Sequence, residues 1–210
     1  ATSELARFFA AGLADRIAVA DERAEAGEAV RTQATVMMVD IRDFTNLASH
    51  NTPEETLSIL TGIQSRAVAA ISRHGGAIDK FLGDGILATF GCVSPLVKPA
   101  SSAIRAARDL MDEIARWDIE RLAAGHSPVR IGVAISSGEV LFGTVGFGDR
   151  LEFTVIGDTV NRAAKLEKYN KVIGSSVIID GATDALARRE GLRSGPVRRI
   201  EDCEVPGVAH

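Results

Sequence analysis

The feature of this sequence that most constrains its fold is the triplet Gly-Asp-Gly at residues 83–85, which lies between two apolar runs. The runs cover residues 77–82 and 86–90. Two such runs joined by an Asp-Gly pair predict a β-hairpin, because this pair readily adopts the backbone angles of a tight turn. The turn would present the carboxylate of Asp84 at its tip, where the flanking glycines leave room for a ligand.

Asp84 alone leaves two interpretations open. Aspartate is common in turns, so this carboxylate fits an ordinary turn residue as well as a metal ligand. A second stretch, residues 36–45, favours the metal ligand, because an apolar strand there runs directly into Asp40. Two carboxylates, each beside the end of an apolar strand, are what a site for two divalent cations requires.

The composition is that of a soluble protein with one domain, or with one domain and an additional arm. Of 210 residues, 46% are hydrophobic and 25% charged, with neither a transmembrane-length apolar run nor a signal-peptide layout. The net charge of −4 argues against a nucleic-acid partner. Cys92 and Cys203 lack a Cys-x-x-Cys spacing and are predicted to be reduced intracellular thiols. We expect a cytoplasmic chain, free or as the cytoplasmic part of a larger, membrane-anchored protein.

The chain is predicted to divide after residue 31. Residues 1–31 carry apolar side chains at helical spacing, such as Leu5, Phe8 and Leu13, followed by a polar stretch. We interpret them as an N-terminal helical arm, or linker, that leads to an upstream regulatory or sensor domain. Residues 32–210 would form the folded domain, and the absence of an initiating Met indicates a piece of a longer protein.

The order of predicted elements indicates a ferredoxin-like α+β sandwich. A strand at 35–41 precedes a helix that opens with the capping box Thr52-Pro53-Glu54-Glu55 and buries a stripe beginning at Leu57. The hairpin is followed by a helix near 101–124, a strand pair at 129–135 and 139–145, a strand at 151–156, a helix at 158–168, a strand at 176–179, a helix at 182–189 and a strand fragment at 197–200. We expect a mostly antiparallel sheet with helices packed on one face.

Two further pairs of residues suit a phosphorylated ligand. The backbone N–H groups of Phe44 and Thr45, where the chain turns from strand toward helix, suit phosphate oxygens. Asn161 and Lys165 lie four residues apart on a predicted helix and share one face. An amide and a cation there suit a ribose oxygen and a developing phosphate charge. The same spacing is also typical of the solvated face of an amphipathic helix, and this alternative stays open.

Lys80 and Thr154 form a last candidate pair, since each stands at the start of an apolar run and carries a hydrogen-bonding side chain. Taken singly, each is typical of a polar residue on an edge strand. Together with the residues above, they resemble the catalytic domain of class III nucleotidyl cyclases, bacterial type. The resemblance rests on four stretches, at 39–45, 80–85, 130–140 and 153–161, which follow the order found in that family. The resemblance extends from about residue 5 to the C-terminus.

The resemblance implies a two-metal reaction at sites shared between the subunits of a head-to-tail homodimer. Asp40 and Asp84, with the carbonyl of Ile41, would hold two divalent cations, Mg²⁺ or Mn²⁺. Asn161 would orient the ribose, and Lys165 stands where the family has an arginine that stabilises the transition state. The ribose 3′-hydroxyl would attack the α-phosphorus and release pyrophosphate.

The resemblance also implies that Lys80 and Thr154 of the other subunit read the base. A lysine can donate to N1 of adenine, and a threonine can accept from its 6-amino group, whereas guanine presents the opposite pattern. A mismatched buried group costs on the order of 1–3 kcal/mol. The expected activity is therefore that of an adenylate cyclase, which converts ATP to 3′,5′-cyclic AMP.

Three positions depart from the family pattern. Lys165 replaces arginine and loses its two-pronged hydrogen bonding. Pro206 stands where a triphosphate-binding lysine is usual, and Asp43 stands where glycine is usual in the phosphate-binding turn. These departures favour a slow enzyme, and they keep open an alternative: a catalytically silent, nucleotide-binding dimerisation module in signal relay. A diguanylate-forming enzyme is disfavoured, because such enzymes carry Gly-Gly-Asp/Glu-Glu-Phe at the turn.

Overall fold

The computed structural model of the protein describes residues 29–147, 150–193, 195, 197–201, 203 and 205–207, without the side chains of residues 147, 150 and 151. Its elements in chain order are β1 (Ala29–Ile41), α1 (Phe44–His50), α2 (Pro53–Arg73), β2 (Gly76–Leu82), β3 (Gly85–Phe90), α3 (Pro99–Ala123), β4 (Ile131–Phe147), β5 (Arg150–Ile156), α4 (Asp158–Val172), β6 (Val177–Ile179) and α5 (Gly181–Arg189). Of the predicted arm, residues 1–28 lie outside the described residues, and residues 29–31 belong to β1.

One sheet organises the domain, with its strands in the order β2-β3-β1-β4-β5 and β6 beside β4. β1 lies at its centre and pairs antiparallel with β3 and with β4. The pairing between β4 and β6 is parallel. The predicted α+β sandwich with a mostly antiparallel sheet is confirmed.

The predicted hairpin is formed by β2 and β3, whose strands pair from Gly76 with Phe90 to Leu82 with Gly85. Gly83 has a φ angle of +66°, a left-handed conformation that glycine adopts at little cost. The register of the two strands shifts between Ile78 and Lys80. This irregularity lies directly beside the candidate site residue Lys80.

Helix α2 begins as the sequence predicts. The side chain of Thr52 accepts from the amide of Glu55, and the carboxylate of Glu55 accepts from the amide of Thr52. Its buried face contains Ile59, Ile63, Ala67, Ala70 and Ile71. The prediction was wrong for Leu57, which is 63% exposed because it lies to one side of the face that these five residues form. In the described part of the chain, no helix is long and apolar enough to cross a membrane.

The predicted break in β4 does not occur. Residues 136–138, Ser-Ser-Gly, look like a turn in the sequence, yet they continue one strand of 17 residues. The reason is the length of β1, whose 13 residues pair with β4 without interruption, for example Thr35 with Ser137. The predicted strand fragment at 197–200 is also wrong, because these residues form neither strand nor helix.

Both faces of the sheet are covered, which corrects the expectation of helices on one face. Since neighbouring residues of a strand point to opposite faces, Met37 and Val39 join the core formed with α2 and α3. Val36 joins a second core that includes Ala163 of α4. The uninterrupted apolar sequence of β1 is explained by its burial on both faces.

Candidate active site

A cleft of about 670 Å³ opens where β1 ends, beside the β2–β3 turn. It contains five of the predicted site residues, namely Asp40, Ile41, Phe44, Thr45 and Asp84. The other residues that line it are Asp43, Asn46, Ser49 and Lys171. The predicted metal ligands and the predicted phosphate-binding backbone therefore share one cleft.

The pairing of β1 with β3 brings the two carboxylates together. Val39 is the last residue of β1 that pairs with β3, opposite Ile86, so that Asp40 directly follows this pair and Asp84 precedes β3. Between them lies Gly85, where a Cβ atom would be 3.5 Å from Oδ1 of Asp40 and 3.4 Å from the carbonyl oxygen of Val39. These distances, which are ordinary van der Waals contacts, place the turn directly beside the end of β1.

The charges in this cleft suit a hard cation. Burial raises the pKa of Asp84, and the negative charge of nearby Asp40 raises it further. A divalent cation between the two carboxylates would remove this repulsion, and carboxylate and carbonyl oxygens are the ligands that Mg²⁺ prefers. The described residues contain no group of three or more His, Cys, Asp or Glu side chains that could hold a metal. A cation here would therefore also need main-chain or substrate oxygens.

Lys171 is a residue of the cleft that sequence reasoning missed. Its ammonium group donates to Oδ2 of Asp40 and lies 3.6 Å from Oε2 of Glu167. Burial lowers the pKa of Lys171, but the hydrogen bond and charge of Asp40 and the charge of Glu167 outweigh it and raise the pKa overall. The only sequence signal was the spacing of Glu167 and Lys171, four residues apart, in a helix predicted to end at residue 168.

Behind the cleft, an ion pair between the partly buried Arg42 and the buried Glu167 connects the end of β1 to α4. Nη1 of Arg42 donates to Oε1 of Glu167 at 3.1 Å, and Nη2 donates to the carbonyl of Ser175 at 3.2 Å. The guanidinium occupies the space over Gly132, where a Cβ atom would lie 2.1 Å from Nη2. Burial raises the pKa of Glu167, and the charge of Asp40 adds to the effect. Arg42 thus fixes the backbone beside the predicted ligand Ile41.

Lys80 and Thr154 meet through a carboxylate that the sequence analysis did not single out. The hydroxyl of Thr154 donates to Oδ1 of Asp79 at 3.2 Å, and Nζ of Lys80 lies 3.5 Å from the same oxygen. Lys80 also donates to Oε1 of Glu152, on β5. Although β2 and β5 lie at opposite ends of the strand order, the sheet curls enough for them to touch. The predicted base-reading pair is therefore assembled within one chain.

Asn161 and Lys165 lie on α4, as predicted, with Asn161 exposed. Lys165 donates to the carbonyl of Gly207, next to Pro206 at the far end of the described chain. Among the hydrogen bonds of the described residues, none joins Asn161 or Lys165 to the two carboxylates of the cleft. Neither Asn161 nor Lys165 is among the described residues that line the cleft.

The turn that leads into α1 holds a strained residue. Asp43 is the one described non-glycine residue with a positive φ angle, 52°, and its side chain caps no amide of the helix. Its backbone oxygen accepts from the amide of Leu47 at 2.9 Å. Glycine, which the family resemblance leads one to expect here, would adopt this left-handed conformation with less strain.

Comparisons with known proteins identify relatives of this chain. The model of the adenylate and guanylate cyclase catalytic domain matches residues 28–207. Adenylate cyclase 1 of Rhizobium meliloti (strain 1021) is 32% identical over 155 residues, which cover 74% of this chain and 23% of that relative. The chain thus spans about a quarter of the length of this curated relative.

Two solved structures share the fold. The adenylyl cyclase CyaB from P. aeruginosa has a TM-score of 0.71 and 27% identity, over 77% of this chain and 83% of that one. The guanylyl cyclase Cya2 has a TM-score of 0.69 and 28% identity, over 76% of this chain and 80% of that one. With the family model matching most of the sequence, the chain belongs to the family of adenylate and guanylate cyclase catalytic domains.

Proposed function

We propose that this domain is an adenylate cyclase, which converts ATP to 3′,5′-cyclic AMP and pyrophosphate. The observation that carries the proposal is the meeting of Asp40 and Asp84 in one cleft with the backbone of Phe44 and Thr45. In the reaction, the ribose 3′-oxygen forms a bond to the α-phosphorus as it loses its proton. The bond from the α-phosphorus to the bridging oxygen breaks, and pyrophosphate leaves with that electron pair.

Each group of the chain has a role in this proposal. Asp40, Asp84 and the carbonyl of Ile41 would hold two Mg²⁺ or Mn²⁺ ions, which would supply positive charge to activate the 3′-hydroxyl and neutralise the polyphosphate. Asn161 orients the ribose oxygen, and the Lys165 ammonium group stabilises the charge that develops on the phosphate. The amides of Phe44 and Thr45 bind phosphate oxygens.

The base is proposed to be adenine, because Lys80 offers a donor to N1 and Thr154 an acceptor to the 6-amino group. The family includes adenylate and guanylate cyclases, so this choice depends on these two side chains. Their arrangement around Asp79 supports it, since both reach one small region between β2 and β5.

We further propose that two copies associate head to tail and share each active site. The separation of Asn161 and Lys165 from the cleft in one chain supports this, because a second copy could supply them. Apolar side chains exposed beside the base-reading pair also support it: Phe81 is 49%, Leu82 48% and Ile156 50% exposed. Exposed apolar surface of this kind is typical of an interface.

A catalytically silent, nucleotide-binding module remains the second candidate. Two features favour it: Lys165 is engaged by the carbonyl of Gly207, and Pro206 provides no cation for the triphosphate. Against it stands the like-charge pair of Asp40 and Asp84, which raises the pKa of Asp84 and has no evident structural purpose. For the whole protein, we also propose an upstream regulatory or sensor domain.

Turnover of ATP and of GTP, each with Mn²⁺ and then Mg²⁺, tests the proposal. Cyclic AMP from ATP, with a specific activity that rises with protein concentration, is the expected result, because only a dimer completes the site. No product from either nucleotide, together with measurable nucleotide binding, would favour the silent module. Cyclic GMP as the main product would overturn the choice of adenine.

Mixing two inactive variants tests the shared site. Asp84→Ala removes a residue of the cleft, and Asn161→Ala removes one of the α4 pair. In a mixed head-to-tail dimer, one site carries both defects and the other carries neither. Equal amounts should therefore recover about a quarter of the wild-type activity, measured as cyclic AMP formed. If the mixture stays as inactive as its parts, the head-to-tail arrangement is wrong.

A further inference from the structure

Asp79 stands out as a buried charged residue to which the proposed reaction gives no role. Its side chain is only 4% exposed, although it lies on the edge strand β2. The register shift between Ile78 and Lys80 leaves Asp79 at an irregularity of the hairpin. Such irregularities re-aim a side chain, and here the carboxylate reaches across to β5.

Three donors surround this carboxylate. Oδ1 accepts the hydroxyl proton of Thr154 at 3.2 Å, and Oδ2 accepts the amide of Val155 at 3.2 Å. The ammonium group of Lys80 lies 3.5 Å from Oδ1. Burial raises the pKa of Asp79, whereas Lys80, Thr154 and Val155 each lower it by stabilising the ionised form.

The contact with Thr154 determines what its hydroxyl can offer a ligand. A threonine hydroxyl has one proton and two lone pairs, and it can donate or accept. The other acceptor within reach of this hydroxyl, the carbonyl oxygen of Val155, is farther away, at 3.5 Å. An ionised carboxylate only accepts, so the proton of Thr154 goes to Asp79 in preference. The free lone pairs of Thr154 then accept from a donor such as the 6-amino group of adenine. The 6-oxygen of guanine is an acceptor and finds no proton there.

We propose that Asp79 is a specificity-determining positioning residue, which fixes Thr154 as a hydrogen-bond acceptor and holds Lys80 beside it, so that the pair selects adenine over guanine. The inference rests on the proposed nucleotide site, and Asp79 acts through the two side chains that face the base. If Asp79 only linked β2 to β5, any side chain that accepts the amide proton of Val155 would be sufficient, and no charge would be needed.

The variant Asp79→Asn separates these two roles. The amide of Val155 requires an acceptor, so the oxygen of the introduced side chain should turn toward it and the NH₂ group toward Thr154. Thr154 then accepts from this NH₂ group, and its own proton is free to point at the ligand. The polarity that the base meets is reversed, while the size of the side chain and the link to β5 are kept.

The experiment compares binding of 3′-deoxyATP and 3′-deoxyGTP, which cannot cyclise because the attacking hydroxyl is absent. Titration calorimetry with Mn²⁺ gives both dissociation constants, and turnover of ATP and GTP is followed in parallel. The wild-type protein should prefer the adenine nucleotide. Asp79→Asn should reduce this preference at least about tenfold, mostly by weaker adenine binding.

A matched control is Glu152→Gln, which also removes a carboxylate from Lys80 but leaves Thr154 untouched. Because Glu152 is 64% exposed, its loss should change the preference by less than about twofold. Thr154→Val keeps the shape of the side chain without its hydroxyl and should lose the preference to a similar extent as Asp79→Asn. In the Thr154→Val background, Asp79→Asn should have little further effect on the preference.

The outcomes are distinct. An unchanged preference in a folded Asp79→Asn protein, or in Thr154→Val, overturns the inference, as does a wild-type protein without any preference. A reduced preference in both, with Glu152→Gln unchanged, supports it. If the wild-type protein binds the adenine nucleotide preferentially but forms no cyclic nucleotide from ATP or GTP, the result counts against the proposed catalysis. The inference on Asp79 is then unaffected.

Discussion

Two carboxylate environments in this domain differ in how their charge is balanced. Burial is the largest cause of the raised pKa for both Asp84 and Asp79. At Asp84, the next cause is the negative charge of Asp40, which raises the pKa further. At Asp79, it is the positive charge of Lys80, which lowers the pKa. An added cation would therefore stabilise the pair Asp40 and Asp84, whereas Lys80 already balances the charge of Asp79.

The contrast has a structural origin. Asp79 is enclosed between two strands, and donors of β2 and β5 surround it. Asp40 and Asp84 border an open cleft, where the only described cation that contacts Asp40 is the half-exposed Lys171. Asp79, whose oxygens already accept from protein donors, can position its neighbours. The pair Asp40 and Asp84 carries excess negative charge and can bind a cation.

The largest expected effect comes from removing one charge of the cleft. Asp84→Asn should reduce metal-dependent cyclic AMP formation by at least about a thousandfold, because one of two carboxylate ligands is lost. The control is Asp109→Asn, which removes a partly exposed carboxylate paired with Arg73 and His74 outside the cleft. Assays with Mn²⁺ and Mg²⁺ compare the two variants. Activity of Asp84→Asn within tenfold of wild type would contradict its assignment as a ligand.

The ion pair behind the cleft should matter for stability. Arg42→Met removes the guanidinium partner of the buried Glu167 and should lower the free energy of unfolding by about 2 kcal/mol, since Lys171 still lies 3.6 Å from Glu167. The matched control, Arg31→Met, breaks an exposed ion pair with Glu139 and should cost less than about 1 kcal/mol. Urea unfolding measures both. Equal losses in the two variants would show that burial does not set the strength of these pairs.

The strained turn of the cleft gives a smaller effect of opposite sign. Asp43→Gly should raise the free energy of unfolding by about 0.5–1 kcal/mol, since glycine adopts a φ of 52° without the clash of a Cβ atom. Asp43→Ala is the control and should destabilise the domain, because alanine keeps the clash and tolerates this conformation less well than aspartate. Thermal unfolding of the three proteins checks the order.

The smallest expected effect is the pH dependence of the like-charge pair without metal. The raised pKa of Asp84 means that its protonated form stabilises the native state below the ordinary value of 3.8, and this contribution is lost as pH rises through the raised pKa. At pH 7 in EDTA, Asp84→Asn should therefore be more stable than wild type, by less than about 1 kcal/mol because solvent screens the pair. The advantage should disappear below pH 3.8. An advantage that grows on acidification would contradict the assigned repulsion.

Local signals in the sequence predicted the elements whose chemistry is local. The Gly-Asp-Gly turn gave the hairpin, and Thr52 with Glu55 gave the start of α2, because both depend on residues within a few positions of each other. The spaced motifs also predicted the family, which the comparisons confirm. The individual site roles stay predictions.

Sequence reasoning failed where the partner of a residue is far away in the chain. The Ser-Ser-Gly stretch at 136–138 looked like a turn, but β1 holds it in the sheet. Helices cover both faces because β1 is buried on both, and an apolar run alone does not tell which elements will cover each face.

The sequence by itself determined the fold class, the family and the candidate residues, because short-range patterns and spaced motifs carry that information. Only the tertiary structure decided which of them meet. Lys171 contacts Asp40 across 131 positions of the chain, and Thr154 contacts Asp79 across 75. The first contact depends on the packing of α4 against β1, and the second on the curl that brings β2 to β5. No local pattern encodes either, so the balance of charge around each carboxylate emerges only in the folded protein.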